Sequence, residues 1–109
     1  MDHELDPVFR ALADRTRRQL LDRLYAENGQ TLRELCQHLD MSRQAVTKHL
    51  AVLEEAKLVV SLRRGREKLH YLNPEPIEAI AERWMSKYGR RRVQALRQLE
   101  RALAEHDHG

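Results

Sequence analysis

The hydrophobic pattern of this chain changes its period once and then changes back, which limits the folds available to it. Up to Leu53, apolar residues recur at helical spacing. Residues 58–62 and 69–72 are instead short β-rich runs, separated by the turn signal Arg64-Gly65-Arg66. Helical spacing returns after residues 73–76, which include two prolines. The sequence therefore predicts a mainly α fold with one small β-hairpin.

Capping residues divide the helical part into short helices. Asp6, before Pro7, is the expected N-cap of the first helix. Thr31 followed by Glu34 has the spacing of a capping box and opens another short helix. Ser42 is the expected N-cap of the helix after that. The first of these two helices, a three-residue break and the second helix together predict a helix-turn-helix.

A chain of 109 residues has room for one domain. The predicted parts of this single domain, 1–109, are a helix-turn-helix at 31–56, a hairpin at 58–72 and a C-terminal helix at 74–105. The acidic start of the chain lacks the apolar segment of a signal peptide, and no apolar run approaches the roughly 20 residues of a membrane span. The single cysteine, Cys36, excludes an intramolecular disulfide. These features predict a cytoplasmic protein without a membrane partner.

The positive charge is concentrated in one segment. Residues 41–70 contain seven Lys or Arg and three Glu, whereas the other 79 residues contain thirteen basic and fourteen acidic groups. A basic segment on a nearly neutral body is typical of a surface that binds a polyanion. An ordinary solvated surface is the alternative that charge alone leaves open.

The helix that begins at Ser42 has a polar and basic outer face. With Val46, Leu50 and Leu53 directed inward, the opposite face carries Arg43, Gln44, Thr47 and Lys48. These side chains suit the DNA major groove, where Gln pairs with adenine and Arg or Lys with guanine or phosphate. The following hairpin places Arg63, Arg64, Arg66 and Lys68 near the flanking backbone. Because these four residues alternate along the strands, they cannot all face the same phosphates. A helical hairpin with a polar exterior is the alternative for the helices alone.

Two stretches of the chain resemble ArsR-type winged helix-turn-helix repressors. The first is Phe9-Arg10-Ala11-Leu12-Ala13-Asp14-Arg15-Thr16-Arg17, and the second runs from Glu34 to Leu53 with the pattern Ser-x-x-x-Val-x-x-His-Leu-x-x-Leu. The similarity covers roughly residues 5–88. It departs from the family at Lys57, where members usually carry Gly.

The resemblance implies a homodimeric, DNA-binding repressor of a palindromic operator, possible autoregulation, and a dimer built from the first and last helices. It also places His49 near the DNA, where we expect both packing and contact roles. The predicted DNA contacts are Ser42, Arg43, Gln44, Thr47, Lys48, His49, Arg63, Arg64, Arg66 and Lys68. The predicted dimer interface is Val8, Phe9, Leu12, Ile77, Ile80, Trp84, Tyr88 and Leu96.

The C-terminal apolar stripe gives a second argument for a dimer. A helix from Ile77 to Ala104 would be about 42 Å long at 1.5 Å per residue, longer than so small a domain can cover. We expect the uncovered part of its apolar face to pack against a second chain, together with the apolar face of the first helix that includes Phe9. The alternatives are that this helix packs entirely on its own subunit, or that it docks another protein as an interaction module.

The family's usual metal sites lack their ligands in this sequence. Thr31 and Arg33 stand where many relatives have a Cys-x-Cys pair, and residues 77–104 contain neither His nor Asp. Cys36 and His38 alone give too few ligands for a tetrahedral site. We therefore predict no metal and no cofactor, with a Cys36-based metal or redox sensor as the alternative. No phosphate loop or nucleophile–base pattern is present, so the sequence predicts that the protein is not an enzyme.

Overall fold

The computed structural model describes residues 2–107; Met1, His108 and Gly109 lie outside the described part of the chain. The chain divides into two compact units after Ile77. The first unit contains a short 3-10 turn (Asp2–Leu5) and helices α1 (Asp6–Leu12), α2 (Arg15–Ala26), α3 (Leu32–Cys36) and α4 (Arg43–Glu55). The hairpin strands β1 (Val59–Arg64) and β2 (Glu67–Leu72) complete it.

Two of the three predicted helix caps are confirmed. The Thr31 side chain accepts the Glu34 backbone N–H at 3.2 Å, and Glu34 Oε1 accepts the Thr31 backbone N–H at 3.0 Å. Ser42 Oγ accepts the Ala45 N–H at 3.1 Å at the start of α4. The prediction for Asp6 was wrong: Leu5 is the N-cap of α1 and makes no side-chain cap, while Asp6 is already helical. In the first turn of α1, the negative charge of Asp6 is stabilised by the helix dipole even without a capping hydrogen bond.

Helix α4 ends in a Schellman motif. The Leu58 N–H donates to the Leu53 carbonyl at 2.9 Å, and the Lys57 N–H donates to the Glu54 carbonyl at 3.0 Å. Lys57 takes φ +63°, the left-handed conformation that a Gly would adopt without a steric penalty. The departure from the family at this position therefore leaves the helix exit in the geometry expected of Gly.

The hairpin is antiparallel and is anchored at its base. Its register pairs Val59 with Leu72 at the base and Arg64 with Glu67 at the tip, where Gly65 has φ +65°. The segment before α3 forms a bridge to β2, because the backbones of Gln30 and His70 exchange hydrogen bonds of 2.8 and 3.3 Å. The base of the hairpin is thereby fixed to the helices, while its tip extends into solvent.

The core of the first unit comes from helices α2, α3 and α4 and from the start of the hairpin. Its fully buried side chains are Leu20, Leu24, Leu35, Val46, Leu53 and Leu58. Burying each such side chain contributes about 1.5–3 kcal/mol to folding. This core fixes α4 with its polar face outward, in a winged helix-turn-helix arrangement.

The C-terminal part of the chain is helical from Glu75 to Asp107, in three segments. These are α5 (Glu75–Ile80), a π-helical turn (Ala81–Met85) and α6 (Ser86–Asp107). Every residue from Met85 to Glu105 is exposed. Across the described residues, no helix has both the length and the apolar character to cross a membrane.

Candidate DNA-binding surface

The outward face of α4 forms a shallow groove. Its volume is about 890 Å³, and its lining consists of Ser42, Arg43, Gln44, Thr47 and Lys48. Four residues predicted to contact DNA from the helical pattern therefore lie together on one surface, with the N-cap residue Ser42 beside them. Within this groove the Thr47 hydroxyl donates to the Arg43 carbonyl at 2.9 Å. Its proton is thus engaged, and the oxygen remains available as an acceptor for a base amino group.

The register of the hairpin distributes its basic residues over two faces. Arg63 lies directly opposite Lys68 on one face, and Arg64 lies opposite Glu67 on the other. Like charges directly opposite each other in a sheet are mutually destabilising. The Glu54 carboxylate, 3.5 Å from Lys68 Nζ, offsets part of that repulsion, and Arg64 faces the Glu67 carboxylate across the strands.

A second cavity joins the helix-turn-helix to the hairpin. It has a volume of about 650 Å³ and is lined by Thr31, Leu32, Arg33, Glu34, Gln37, Arg43, Arg66, Glu67, Lys68 and His70. Arg43 lines both this cavity and the groove on α4, so the two are adjacent. Arg33 is a further basic residue of this cavity, and the sequence pattern did not predict it as a DNA contact. The sequence feature that could have indicated Arg33 is its position one residue after the start of α3, the helix that the capping box opens.

Lys68 and His70 connect the hairpin to α4. Lys68 Nζ lies 3.5 Å from Glu54 Oε1, and its side chain is half exposed. His70 is buried, and its Nδ1 lies 2.9 Å from the Gln30 carbonyl oxygen. These contacts hold the hairpin at a fixed position beside α4, so that Lys68 and Arg66 face the same cavity as Arg43.

His49 lies apart from the groove lining and contacts residues near the start of α2. Its Nδ1 is 3.3 Å from Arg17 Nη1 and 3.8 Å from Asp14 Oδ2. The Asp14 carboxylate is the N-cap of α2 and accepts the Arg17 backbone N–H at 3.0 Å. That backbone bond, with smaller contributions from the Arg17 and His49 charges, lowers the pKa of Asp14 below its ordinary value. Asp14 is therefore an anion at neutral pH.

Comparison with known proteins identifies the class of protein to which this surface belongs. Residues 12–61 match a family described as a helix-turn-helix domain. The HTH-type transcriptional regulator YuzN of Bacillus subtilis, itself described as uncharacterized, is 41% identical over 91 residues, 78% of this chain and 99% of that protein. The transcriptional repressor SdpR of the same organism is 27% identical over 77% of this chain and 91% of its own length.

A solved structure supplies the deciding observation. An ArsR-like transcriptional regulator from Rhodococcus sp. RHA1 is 34% identical, superimposes with a TM-score of 0.70, and is covered over 92% of its length by 89% of this chain. The chain belongs to the ArsR family. As a member of this family it is a DNA-binding transcriptional regulator and not an enzyme. The resemblance read from the sequence is confirmed.

The predicted dimer residues of this ArsR-family protein differ in exposure. Val8 is only 3% exposed and packs within its own chain, so it has little surface left for a second chain. Phe9 is 43% exposed, and Leu12 is half-buried. Ile77, Tyr88 and Leu96 are exposed, while Ile80 and Trp84 are half-buried. The Arg83 guanidinium lies 5.1 Å from the centre of the Trp84 ring.

The structure also bears on the predicted absence of a metal site. In the range that the structure describes, no three His, Cys, Asp or Glu residues lie close enough to hold a metal ion together. Cys36 is a free thiol that is half-buried. The absence of metal sensing remains a prediction for this ArsR-family protein.

Proposed function

We propose that the protein is a homodimeric repressor that binds a palindromic operator, with α4 in the major groove and the hairpin as a wing against the flanking phosphates. One observation carries this proposal. Arg43 lines both the groove on α4 and the cavity beside Arg66 and Lys68. A DNA duplex with its bases against the groove thus has a phosphate strand near the cavity. The N-terminal part of the second helix reads base edges in other helix-turn-helix proteins.

The proposal assigns separate roles to the residues of this surface. Gln44 and Arg43 read base edges, since their side chains can form bidentate bonds with adenine and guanine. Ser42, Thr47, Lys48 and His49 contact the backbone or neighbouring bases. On the wing, Arg63, Arg66 and Lys68 contact phosphates, whereas Arg64 lies opposite Glu67 and is assigned no phosphate contact. Arg33, in the same cavity as Arg66, joins the phosphate-contacting set.

The apolar faces of the terminal helices support the dimer. Tyr88, Leu96 and Leu99 are each more than half exposed in α6, a costly arrangement for a chain on its own in water. We propose that these residues pack with Phe9, Leu12, Ile77, Ile80 and Trp84 in an interface between two copies. Residues 31–56, 58–72 and 74–105 then serve as helix-turn-helix, wing and dimerisation helix of one domain in a cytoplasmic protein. Two copies place their α4 helices in major grooves about 34 Å apart, so a palindrome follows.

Selection of bound sequences from a random duplex pool tests this function. We expect enrichment of one palindrome with half-sites about 10 base pairs apart. Gln44→Ala should then weaken binding to that operator by roughly 1–3 kcal/mol and relax the preference at one base pair per half-site, with little change on random DNA. Gln19→Ala, an exposed glutamine of α2, is the matched control and should bind like the wild type. Equal loss on operator and random DNA would assign Gln44 to the backbone and contradict its reading role.

A further inference from the structure

Arg17 connects three parts of the first unit through one guanidinium group. Its Nη2 donates to the Arg10 carbonyl at 2.9 Å, and its Nε donates to the Ala11 carbonyl at 2.8 Å. Both carbonyls belong to the last turn of α1. The remaining nitrogen, Nη1, lies 3.3 Å from Nδ1 of His49 in α4. A side chain of α2 thus joins the end of α1 to the helix that we place in the major groove.

The contact with Arg17 decides the protonation of the His49 ring. A guanidinium has only donors and stays charged in proteins, so the ring nitrogen facing it must accept. The form of the neutral ring that accepts from Arg17 has no hydrogen on Nδ1 and carries its hydrogen on Nε2. Asp14 Oδ2, 3.8 Å from Nδ1, is too distant for a hydrogen bond and already accepts the Arg17 backbone N–H.

The other ring nitrogen of His49 reaches solvent. The side chain is 21% exposed, and Nε2 makes no hydrogen bond with the part of the chain that the structure describes. It is also not one of the buried polar atoms that lack a partner there, which are Arg23 Nε and Glu54 Oε1. His49 directly follows Lys48, a residue of the groove on α4. An Nε2–H group at this position is an open donor on the same helix as the predicted DNA contacts, although His49 does not line the groove itself.

We propose that Arg17 is a positioning residue for DNA binding, which holds His49 in the Nε2–H form so that this group donates to a phosphate oxygen of the operator. The inference rests on the proposed function and assigns His49 a defined hydrogen bond within it. Arg17 itself does not touch DNA. Its guanidinium fixes both the tautomer and the ring orientation of His49 and ties that ring to the end of α1.

The tautomer can be measured in the free protein, without any variant. In the ¹⁵N-labelled chain at about pH 8, above the range in which histidine side chains ordinarily titrate, long-range ¹H–¹⁵N spectra distinguish a protonated from an unprotonated ring nitrogen. We expect a protonated Nε2 and an unprotonated Nδ1 for His49. A hydrogen on Nδ1 would overturn the proposal, because that nitrogen could not accept from Arg17.

Two variants with the same loss of charge test the effect on DNA. Arg17→Gln removes the guanidinium from His49, and Arg18→Gln removes its neighbour, which donates to the Leu12 carbonyl at 2.7 Å and does not contact His49. We expect Arg17→Gln to weaken operator binding about tenfold per subunit relative to Arg18→Gln, the change expected when each subunit loses one hydrogen bond to a charged group. The His49 spectrum should change in Arg17→Gln alone.

A double variant separates positioning from a loss of folded structure. His49→Gln places an amide donor near the Nε2 position and needs no tautomer. In this background, Arg17→Gln should cost less than about twofold in operator affinity, because there is no ring left to position. A full tenfold cost in both backgrounds would show that Arg17 acts on folding or on DNA directly. A failed operator selection rejects the proposed function, whereas equal affinities of Arg17→Gln and Arg18→Gln on a confirmed operator reject only the role of Arg17.

Discussion

Among the described residues, Lys57 is the non-glycine residue with a positive φ, and its backbone is held there by the Schellman bonds that end α4. The left-handed conformation costs a residue with a Cβ roughly 1–2 kcal/mol. We predict that Lys57→Gly raises the free energy of unfolding by about 1 kcal/mol, after the greater entropy of an unfolded Gly is subtracted. Urea denaturation gives the measurement. Lys57→Ala removes the same charge but keeps the Cβ, so it should stay within about 0.5 kcal/mol of the wild type.

Glu34 gives a residue-scale prediction about pH. The Thr31 backbone N–H and hydroxyl donate to its carboxylate, and these bonds lower the pKa of Glu34 below its ordinary value of 4.5. A carboxyl whose pKa is lower when folded stabilises the protein above the unfolded pKa, and this stability is lost as the pH falls through the folded pKa.

The corresponding experiment compares two variants with the wild type. Glu34→Gln keeps an oxygen for the capping box but cannot take up a proton. Its urea midpoint should therefore fall less than that of the wild type between about pH 6 and about pH 3. Glu100→Gln, an exposed residue of α6, is the control and should follow the wild type. If the urea midpoint of Glu34→Gln fell as much as that of the wild type, the protonation of the Glu34 carboxylate would not be linked to folding.

At the scale of elements, the wing makes a prediction about salt. Arg66 and Lys68 line the cavity that also contains Arg43, whereas Arg64 lies on the other face of the hairpin. If Arg66 and Lys68 each contact one phosphate, their replacement by Ala in both copies removes four contacts from a dimer. The slope of log K against log[salt] should then become shallower by about 4 units. Base preference at the selected operator should survive, because phosphate contacts carry no sequence information.

A variant from the other face of the wing provides the comparison. Arg64→Ala should change the salt slope by less than about 1 unit, because Arg64 lies opposite the Glu67 carboxylate and, unlike Arg66 and Lys68, does not line the cavity. Titrations of duplex DNA at several salt concentrations measure both slopes. An unchanged slope in the variant lacking Arg66 and Lys68 would mean that the wing does not touch the DNA backbone.

The elements also show which features a sequence alone can predict. Local signals predicted the Thr31–Glu34 capping box, the cap at Ser42 and the hairpin turn, because each depends on residues close together in the chain. The bridge between Gln30 and His70 was not predicted, since it joins residues forty positions apart and follows only from the packed core. The π-helical turn at Ala81–Met85 was also missed. This turn lies between α5 and α6.

For the candidate site, helical periodicity was sufficient to place four residues on one groove, since the buried positions of α4 determine its outer face. Arg33 and the contact between Arg17 and His49 were missed. Both depend on how separate helices pack against each other, and no pattern along the chain reports this. The family resemblance placed His49 near the DNA but gave no partner for its ring.

At the scale of the whole molecule, the uncovered stripe on α6 predicts association. The protein should sediment near twice 12.9 kDa at micromolar concentration. Leu96→Glu should shift it toward the monomer, because a carboxylate in an apolar interface loses its hydration without gaining a partner. Gln98→Glu adds the same charge at an exposed polar position of the same helix and should remain dimeric. A wild-type monomer that binds the operator with full affinity would contradict the interface.

The bridge between Gln30 and His70 also determines how much of the chain must be synthesised before the wing can dock. Helices α1 to α4 all end by Glu55, whereas the wing is anchored only after His70 and Leu72 have met the segment before α3. Contacts between residues far apart in the chain form late, because the intervening loop must first be closed. A nascent chain that ends before residue 70 can therefore contain the complete reading helix and still lack the docked wing beside it.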